Sequence, residues 1–177
     1  MSPTIYRPSA AGARVEYATG RTTLGMVLVA RSAHGLCAIL LGDAADELIV
    51  DLRRRMAIAE IVEGGAAVDR LLATVIEYIE SPGTSLDLPL DARGTAFQQR
   101  VWQALRSIPA GETATYTEIA WRIGAPQSAR AVARACGANP LAVAIPCHRV
   151  VRADGDLSGY RWGVERKRAL LQKEGSR

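Results

Sequence analysis

Two four-residue patterns, Thr95-x-x-Gln98 and Thr115-x-x-Glu118, limit what this chain can become more than any other feature. Each is a capping box: the threonine oxygen can accept from the N–H three residues on, and the Gln or Glu can reach back to the threonine N–H. Apolar residues at helical spacing follow each box, Val101, Trp102 and Leu105 after the first, Ile119 and Ile123 after the second. Gly124-Ala125-Pro126 stops the second helix and starts a third, QSARAVARACGAN, which Gly137 is placed to cap. Two short helices joined by a tight glycine turn have helix-turn-helix spacing. The third helix is nearly bare, because Ala129, Ala131, Ala133, Ala135, Gly137 and Ala138 surround Arg130 and Arg134, which lie one turn apart. An ordinary helix is about 10–12 Å across, whereas the minor groove of B-DNA is about 6 Å wide. A thin helix can approach a widened minor groove, where arginine is favoured. It can equally well pack tightly on a neighbouring helix.

The first half has a different texture. Residues 24–30 (LGMVLVA) and 36–41 (LCAILL) are β-like runs around the turn RSAHG, which predicts a hairpin. Asp43 is placed to cap a helix with Asp46 in its first turn and Leu48, Leu52 and Met56 on one face. AAVDRLLATVIEYIES sets Leu71, Leu72, Val75, Ile76 and Ile79 at helical spacing up to Pro82-Gly83. SLDLPLD alternates as a strand. These signals predict a tail over 1–14, an α/β domain over 15–88 and a mainly helical domain over 92–177.

Charge divides at the same place. Residues 1–91 carry 8 Arg against 12 acidic residues, while residues 92–177 carry 12 Arg and 2 Lys against 6. The basic half predicts a polyanionic partner, nucleic acid first. The excess of Arg over Lys fits a GC-rich genome, but codon bias does not place the positive charge in one half. Apolar stretches fall short of the ~20 residues a membrane helix needs, and residues 1–17 have no apolar signal core. No membrane partner is expected, and a location in the cytoplasm is. Three cysteines at no repeated spacing predict neither a disulfide framework nor a metal site.

Within AVAIPCHRVV, an apolar run is broken by Pro146-Cys147-His148-Arg149. Packing alone does not ask for Cys beside His. A free thiol is only about 3% thiolate at pH 7, and a nearby base or positive field raises that fraction. On a regular strand Cys147 and His148 would face opposite ways, so either the segment leaves strand geometry or a water bridges them. Pro146, which cannot donate to a ladder, permits the first. A buried structural cysteine beside a chance histidine is the other reading.

Three stretches, FQQRVWQALRSIPAGETATYTEIAWRIG, RAVARACGANPLAVAIPCHRVV and GDLSGYRWGVERKRALLQKEG, resemble the C-terminal domain of O6-alkylguanine-DNA alkyltransferases, with the methyltransferase half of bacterial Ada proteins as the nearest likeness. The likeness spans about residues 24–175 and is strongest from Leu90 onward. It implies a mixed α/β (α+β) fold, with a ribonuclease-H-like N-terminal domain and a winged helix-turn-helix-like C-terminal domain. It also implies a single-turnover reaction on double-stranded DNA held through the minor groove, without a cofactor. A flipped O6-alkylguanine, or O4-alkylthymine, would give its alkyl group irreversibly to Cys147. By the same resemblance His148 is the base acting through a water, Glu174 orients it, and Tyr116 protonates the departing guanine. Arg130 fills the gap left by the flipped base. Ala129 and Ala131 belong to the groove-facing helix, Asn139 is the hinge before the active-site segment, and Tyr160 walls the pocket. The backbone from Cys147 through Arg149 and Val150 reads the guanine edge. The resemblance further implies a monomer working in the cytoplasm at the bacterial nucleoid.

Ada proteins begin with a zinc-cysteine domain, and nothing in residues 1–23 could supply one, so the expectation is a stand-alone alkyltransferase or an Ada relative cut at a domain boundary, without a regulatory role. Cys37, Cys136 and His34 read as two buried small residues and a turn. Two other function classes remain. A non-catalytic lesion-binding or winged-helix regulatory protein would use the same groove surface, and a Cys-His hydrolase would leave the bare arginine helix unexplained.

Overall fold

The structure is a computed structural model and describes residues 13–82 and 86–175. Most of the expected tail lies outside the described residues. Strand β1 (Arg14–Thr22) is followed by β2 (Gly25–Ser32) and β3 (Gly35–Gly42). Helix α1 (Ala45–Arg55), strand β4 (Glu60–Glu63) and helix α2 (Ala66–Glu80) complete the first half. The sheet order is β3-β2-β1-β4, antiparallel except for the parallel β1–β4 pair.

The anticipated hairpin is β2–β3, with Ser32 opposite Gly35 across Ala33-His34. Its geometry requires glycine, because Gly35 has φ +146° and a Cβ there would stand 2.6 Å from the Pro89 carbonyl oxygen. Strand β1 carried no strand prediction. Its pattern is mixed, with Val15, Tyr17 and Ala18 buried and small or polar residues between them. Pairing on both sides makes it a strand, including the cross-strand contact of Arg31 Nη1 with Glu16 Oε2 at 3.2 Å.

Helix α1 packs on β2 and β3, and α2 packs on β1 and β2. As expected, α1 buries Leu48 and Leu52, and α2 buries Val75 and Ile79. The N-terminal cap of α1 differs from expectation. It is Ala44 without a side-chain bond, and Asp43 instead pairs with Arg166 Nη2 at 2.5 Å. The alternation in SLDLPLD also misleads. Residues 86–89 form no strand, and Leu90 makes only an isolated bridge to Leu36.

The second half holds α3 (Ala96–Arg106), β5 (Ala114–Thr115), α4 (Tyr116–Arg122), α5 (Ala129–Gly137), a 3₁₀ turn (Cys147–Arg149), β6 (Val150–Val151) and α6 (Val164–Lys173). Both capping boxes are present with both reciprocal hydrogen bonds. Gly124, at φ +74°, ends α4, and the Ala125 N–H reaches the Ala120 carbonyl at 2.9 Å in a Schellman arrangement. Gly137 does not cap α5. It is the last helical residue, and Ala138 takes the C-cap with right-handed backbone. Trp102 Nε1 donates to the Ala135 carbonyl at 2.9 Å and ties α3 to α5.

One buried apolar cluster runs through both halves. The outer edge of β3 joins them. Its Leu36 bonds with the 89–91 segment, and Ile39 accepts from Ala142 N–H and donates to the Pro140 carbonyl, both at 3.0 Å. The segment leading to Cys147 is therefore laid against the sheet of the first half.

Candidate active site

Between Asn139 and Cys147 the chain is almost wholly buried and nearly free of regular structure. Asn139 organises it from within. Its Oδ1 accepts from Leu141 N–H at 2.9 Å, and its Nδ2 donates to the Ile145 carbonyl at 2.8 Å and to Cys147 Sγ at 3.3 Å. At the tip of this loop Val143 has φ +62°, a backbone state that costs a β-branched residue about 1–3 kcal/mol and persists only where the surroundings enforce it.

The objection to neighbouring Cys and His is resolved by the 3₁₀ turn. With about three residues per turn, successive side chains diverge by roughly a third of a circle rather than pointing to opposite faces. Cys147 faces a cavity and His148 faces α6. His148 Nε2 lies 2.7 Å from Glu174 Oε1, at the C-terminal end of α6. Arg149 completes the cluster, with Nε 3.0 Å from Oε2 and Nη2 2.8 Å from Oε1 of the same carboxylate. His148 is fully buried and the Glu174 side chain is 1% exposed.

Burial alone would push the Glu174 carboxyl up, but hydrogen bonds from His148 and Arg149, with the positive charge of Arg149, outweigh it and bring the value down to about 2. Burial lowers His148, against the pull of Glu174. An ionised carboxylate facing a neutral imidazole requires the proton on Nε2, which leaves Nδ1 as an acceptor. Nδ1 is buried and has no partner among the described residues. Cys147 is 5% exposed, and burial pushes its thiol up to about 11 despite the Asn139 hydrogen bond and the Lys167 charge. The resting group is a thiol, so it needs a base at the moment of reaction.

The cavity is about 300 Å³ and is lined by Tyr116, Ala133, Cys136, Cys147, Ser158 and Tyr160 among others, at the lower end of small-molecule site sizes. Tyr116, the first residue of α4, is half-buried, and burial raises its hydroxyl while a hydrogen bond with Ser158 acts against that rise. The Tyr160 hydroxyl is buried without a partner among the described residues, and its ring packs edge-on against Trp162 at 5.3 Å. Ser158 has φ +65°. The wall it belongs to is held by Lys167, a fully buried ammonium that donates to the carbonyls of Val150 at 2.7 Å, Gly159 at 3.3 Å and Leu157.

The cavity opens beside α5. Val132, Ala135 and Cys136 face inward, and Arg130, Ala133, Arg134 and Gly137 form the exposed stripe. Ala129 and Ala131 are half-covered, so the bare positions facing solvent are Ala133 and Gly137. Sequence reading identified the helix, and the exposed stripe adds Ala133 and Gly137 to the part-covered Ala129 and Ala131 that it named. Sequence reading missed Cys136 as a cavity residue and Lys167 as a buried one. Arg149 is turned inward, and Val150 is buried with its carbonyl taken by Lys167. What these two can present to a ligand is backbone, not side chain.

Among the described residues no group of three or more His, Cys, Asp or Glu could hold a metal ion, and no helix is long and apolar enough to cross a membrane.

Residues 96–176 match the family described as 6-O-methylguanine DNA methyltransferase, DNA binding domain. The chain is 50% identical over 174 residues to the bifunctional transcriptional activator/DNA repair enzyme Ada of Escherichia coli, covering 98% of this chain and 49% of that protein. It thus spans about half the length of the curated Ada relatives it matches. It is 57% identical over 111 residues to a methylated-DNA–protein-cysteine methyltransferase of Mycobacterium bovis, over 63% of this chain and 65% of that one. Among solved structures, Mycobacterium tuberculosis OGT in complex with DNA superimposes with a TM-score of 0.77 at 39% identity, covering 90% of this chain and 92% of that one.

Proposed function

The chain belongs to the methylated-DNA–protein-cysteine methyltransferase family, and from that premise we propose that it repairs DNA by moving the alkyl group of O6-alkylguanine onto Cys147. The observation that carries this reading is a buried thiol on the wall of a base-sized cavity, beside a histidine whose Nδ1 has no partner among the described residues and can accept a proton.

In the reaction Cys147 Sγ forms a bond to the alkyl carbon as the bond from that carbon to guanine O6 breaks. The thiol proton passes to His148 Nδ1 through a water, and Glu174 stabilises the imidazolium that results. Tyr116 supplies a proton to the departing guanine, which leaves as the neutral base instead of its anion. The products are a thioether and an intact base, so each molecule acts once and no cofactor is needed.

DNA docks on the exposed stripe of α5, through the minor groove. Ala133 and Gly137 allow close approach, and Arg130 enters the duplex where the nucleotide has swung out. Tyr160 and the backbone from Cys147 to Val150 receive the base, and Asn139 fixes the turn between α5 and the acceptor segment. The protein acts as a monomer in the cytoplasm. A first domain through about residue 88 supports the reactive second one.

The test is mass spectrometry after incubation with a duplex containing O6-methylguanine. One methylene mass per molecule, absent in Cys147→Ser, is the expected result. Turnover without an adduct, or lesion binding without transfer, overturns the reading.

A further inference from the structure

We propose that Arg149 and Tyr78 are positioning residues for His148: together they hold Glu174 as the carboxylate that keeps the histidine proton on Nε2. The inference deepens the function proposed above and rests on it for its meaning.

Arg149 is buried, and each of its guanidinium nitrogens is engaged. Nε and Nη2 make a two-pronged contact with Glu174, Nη1 donates to the Ile108 carbonyl at 2.7 Å, and Nη2 also donates to the Tyr78 hydroxyl at 3.0 Å. Tyr78 comes from α2 in the first half, and Ile108 follows α3. Three elements distant in sequence therefore converge on one cation whose only carboxylate partner is Glu174 among the described residues.

The need for that cation follows from protonation. A carboxyl group buried against a neutral imidazole has two low-energy arrangements. As a carboxylate it accepts from Nε2–H, and Nδ1 stays a lone pair. As an acid it donates to Nε2, and the imidazole proton moves to Nδ1. Only the first leaves a base on the side of the thiol. Burial favours the acid, and a fixed positive charge with two matched hydrogen bonds favours the carboxylate. Arg149 and Lys167 both oppose protonation of His148, but Lys167 gives its N–H groups to the Val150, Leu157 and Gly159 carbonyls and does not substitute for Arg149 at Glu174. An arginine suits the position because its planar fork engages both carboxylate oxygens and still has N–H groups for Ile108 and Tyr78. By anchoring the far edge of the fork, Tyr78 ties the base to the first half of the chain.

The experiment reads the His148 tautomer directly, by ¹⁵N NMR of imidazole-labelled protein near neutral pH. The chain has two histidines, and His34→Gln, in the exposed hairpin turn, removes the other signal. In the parent the expected pattern is a protonated Nε2 and an unprotonated Nδ1. Arg149→Met should lose that pattern and slow alkyl transfer on the order of 100-fold, the scale of a lost general base. Arg149→Lys, which keeps the charge and loses the fork, should restore the pattern and only part of the rate. Tyr78→Phe should keep the pattern and slow transfer about threefold, the scale of one hydrogen bond.

A folded Arg149→Met protein with an unchanged tautomer overturns the inference. If that variant does not fold, a Tyr78→Phe protein with the parent rate overturns it. Should the parent leave the lesion untouched while the tautomer responds as described, the proposed function fails and the positioning role of Arg149 stands.

Discussion

Asn139 Nδ2 lies 3.3 Å from Cys147 Sγ while the same amide group closes the loop between them through Leu141 and Ile145. The residue that shapes the acceptor segment thus also donates to the acceptor sulfur. Asn139→Ala should orphan the buried Leu141 N–H and leave the Ile145 carbonyl with the Cys147 N–H as its remaining donor, destabilising the protein by about 2–3 kcal/mol. Denaturant unfolding measures that loss. The thiol should titrate higher in the variant, because the hydrogen bond that opposes burial is gone, and iodoacetamide reactivity against pH reads this shift.

Arg130 is exposed on α5. Arg130→Ala should leave the melting temperature unchanged and weaken duplex binding. Removing this one positive charge from the duplex should lower the magnitude of the slope of log K against log salt by up to about 0.9. Fluorescence anisotropy across a salt series is the measurement.

Glu174 links stability to acid. Its folded value of about 2 lies below the ordinary 4.5, so between these values the unfolded chain binds more protons. The contribution is fully present above about pH 4.5 and is lost as pH falls through about 2, on the order of 3 kcal/mol in all. The stability gap between the parent and Glu174→Gln should therefore stay level from about pH 6 to about pH 4.5 and narrow as unfolding is measured from there down to about pH 3.

Lys167 holds the cavity wall to β6 through three carbonyls. Lys167→Met removes all three donors and should cost about 3 kcal/mol, read from the shift in denaturant midpoint. The Cys147 thiol should also titrate higher, since the Lys167 charge lowers it.

Features written in contiguous residues were open to sequence reading. The two capping boxes use residues three apart, and the hairpin uses a turn between two apolar runs, so both could be recognised without knowing the rest of the fold. Features that depend on what lies opposite could not be read. Strand β1 is a strand because β2 and β4 flank it, and Asp43 gives up the α1 cap because Arg166 reaches it from residue 166. The site divides in the same way. Cys147 and His148 stood out as a pair breaking an apolar run, Glu174 came only from the resemblance, and the structure brings His148 and Glu174 into direct contact. The inward turn of Arg149, the partnership with Tyr78 and the burial of Lys167 have no local signal, because an ordinary reading of an arginine, a tyrosine or a lysine on a helix is a solvated one.

The docking of residues 140–142 on the outer edge of β3 has a consequence for dissection of the molecule. Ile39 supplies both hydrogen bonds that fasten this stretch at the sheet. An excised fragment beginning near residue 92 would retain every reactive side chain yet present the Leu141–Ile145 run without its backing, as a sticky, unanchored ribbon. The sheet in turn would expose a bare hydrogen-bonding margin along β3, an invitation to self-association. The two pieces should be recoverable as well-behaved species only when they are produced together.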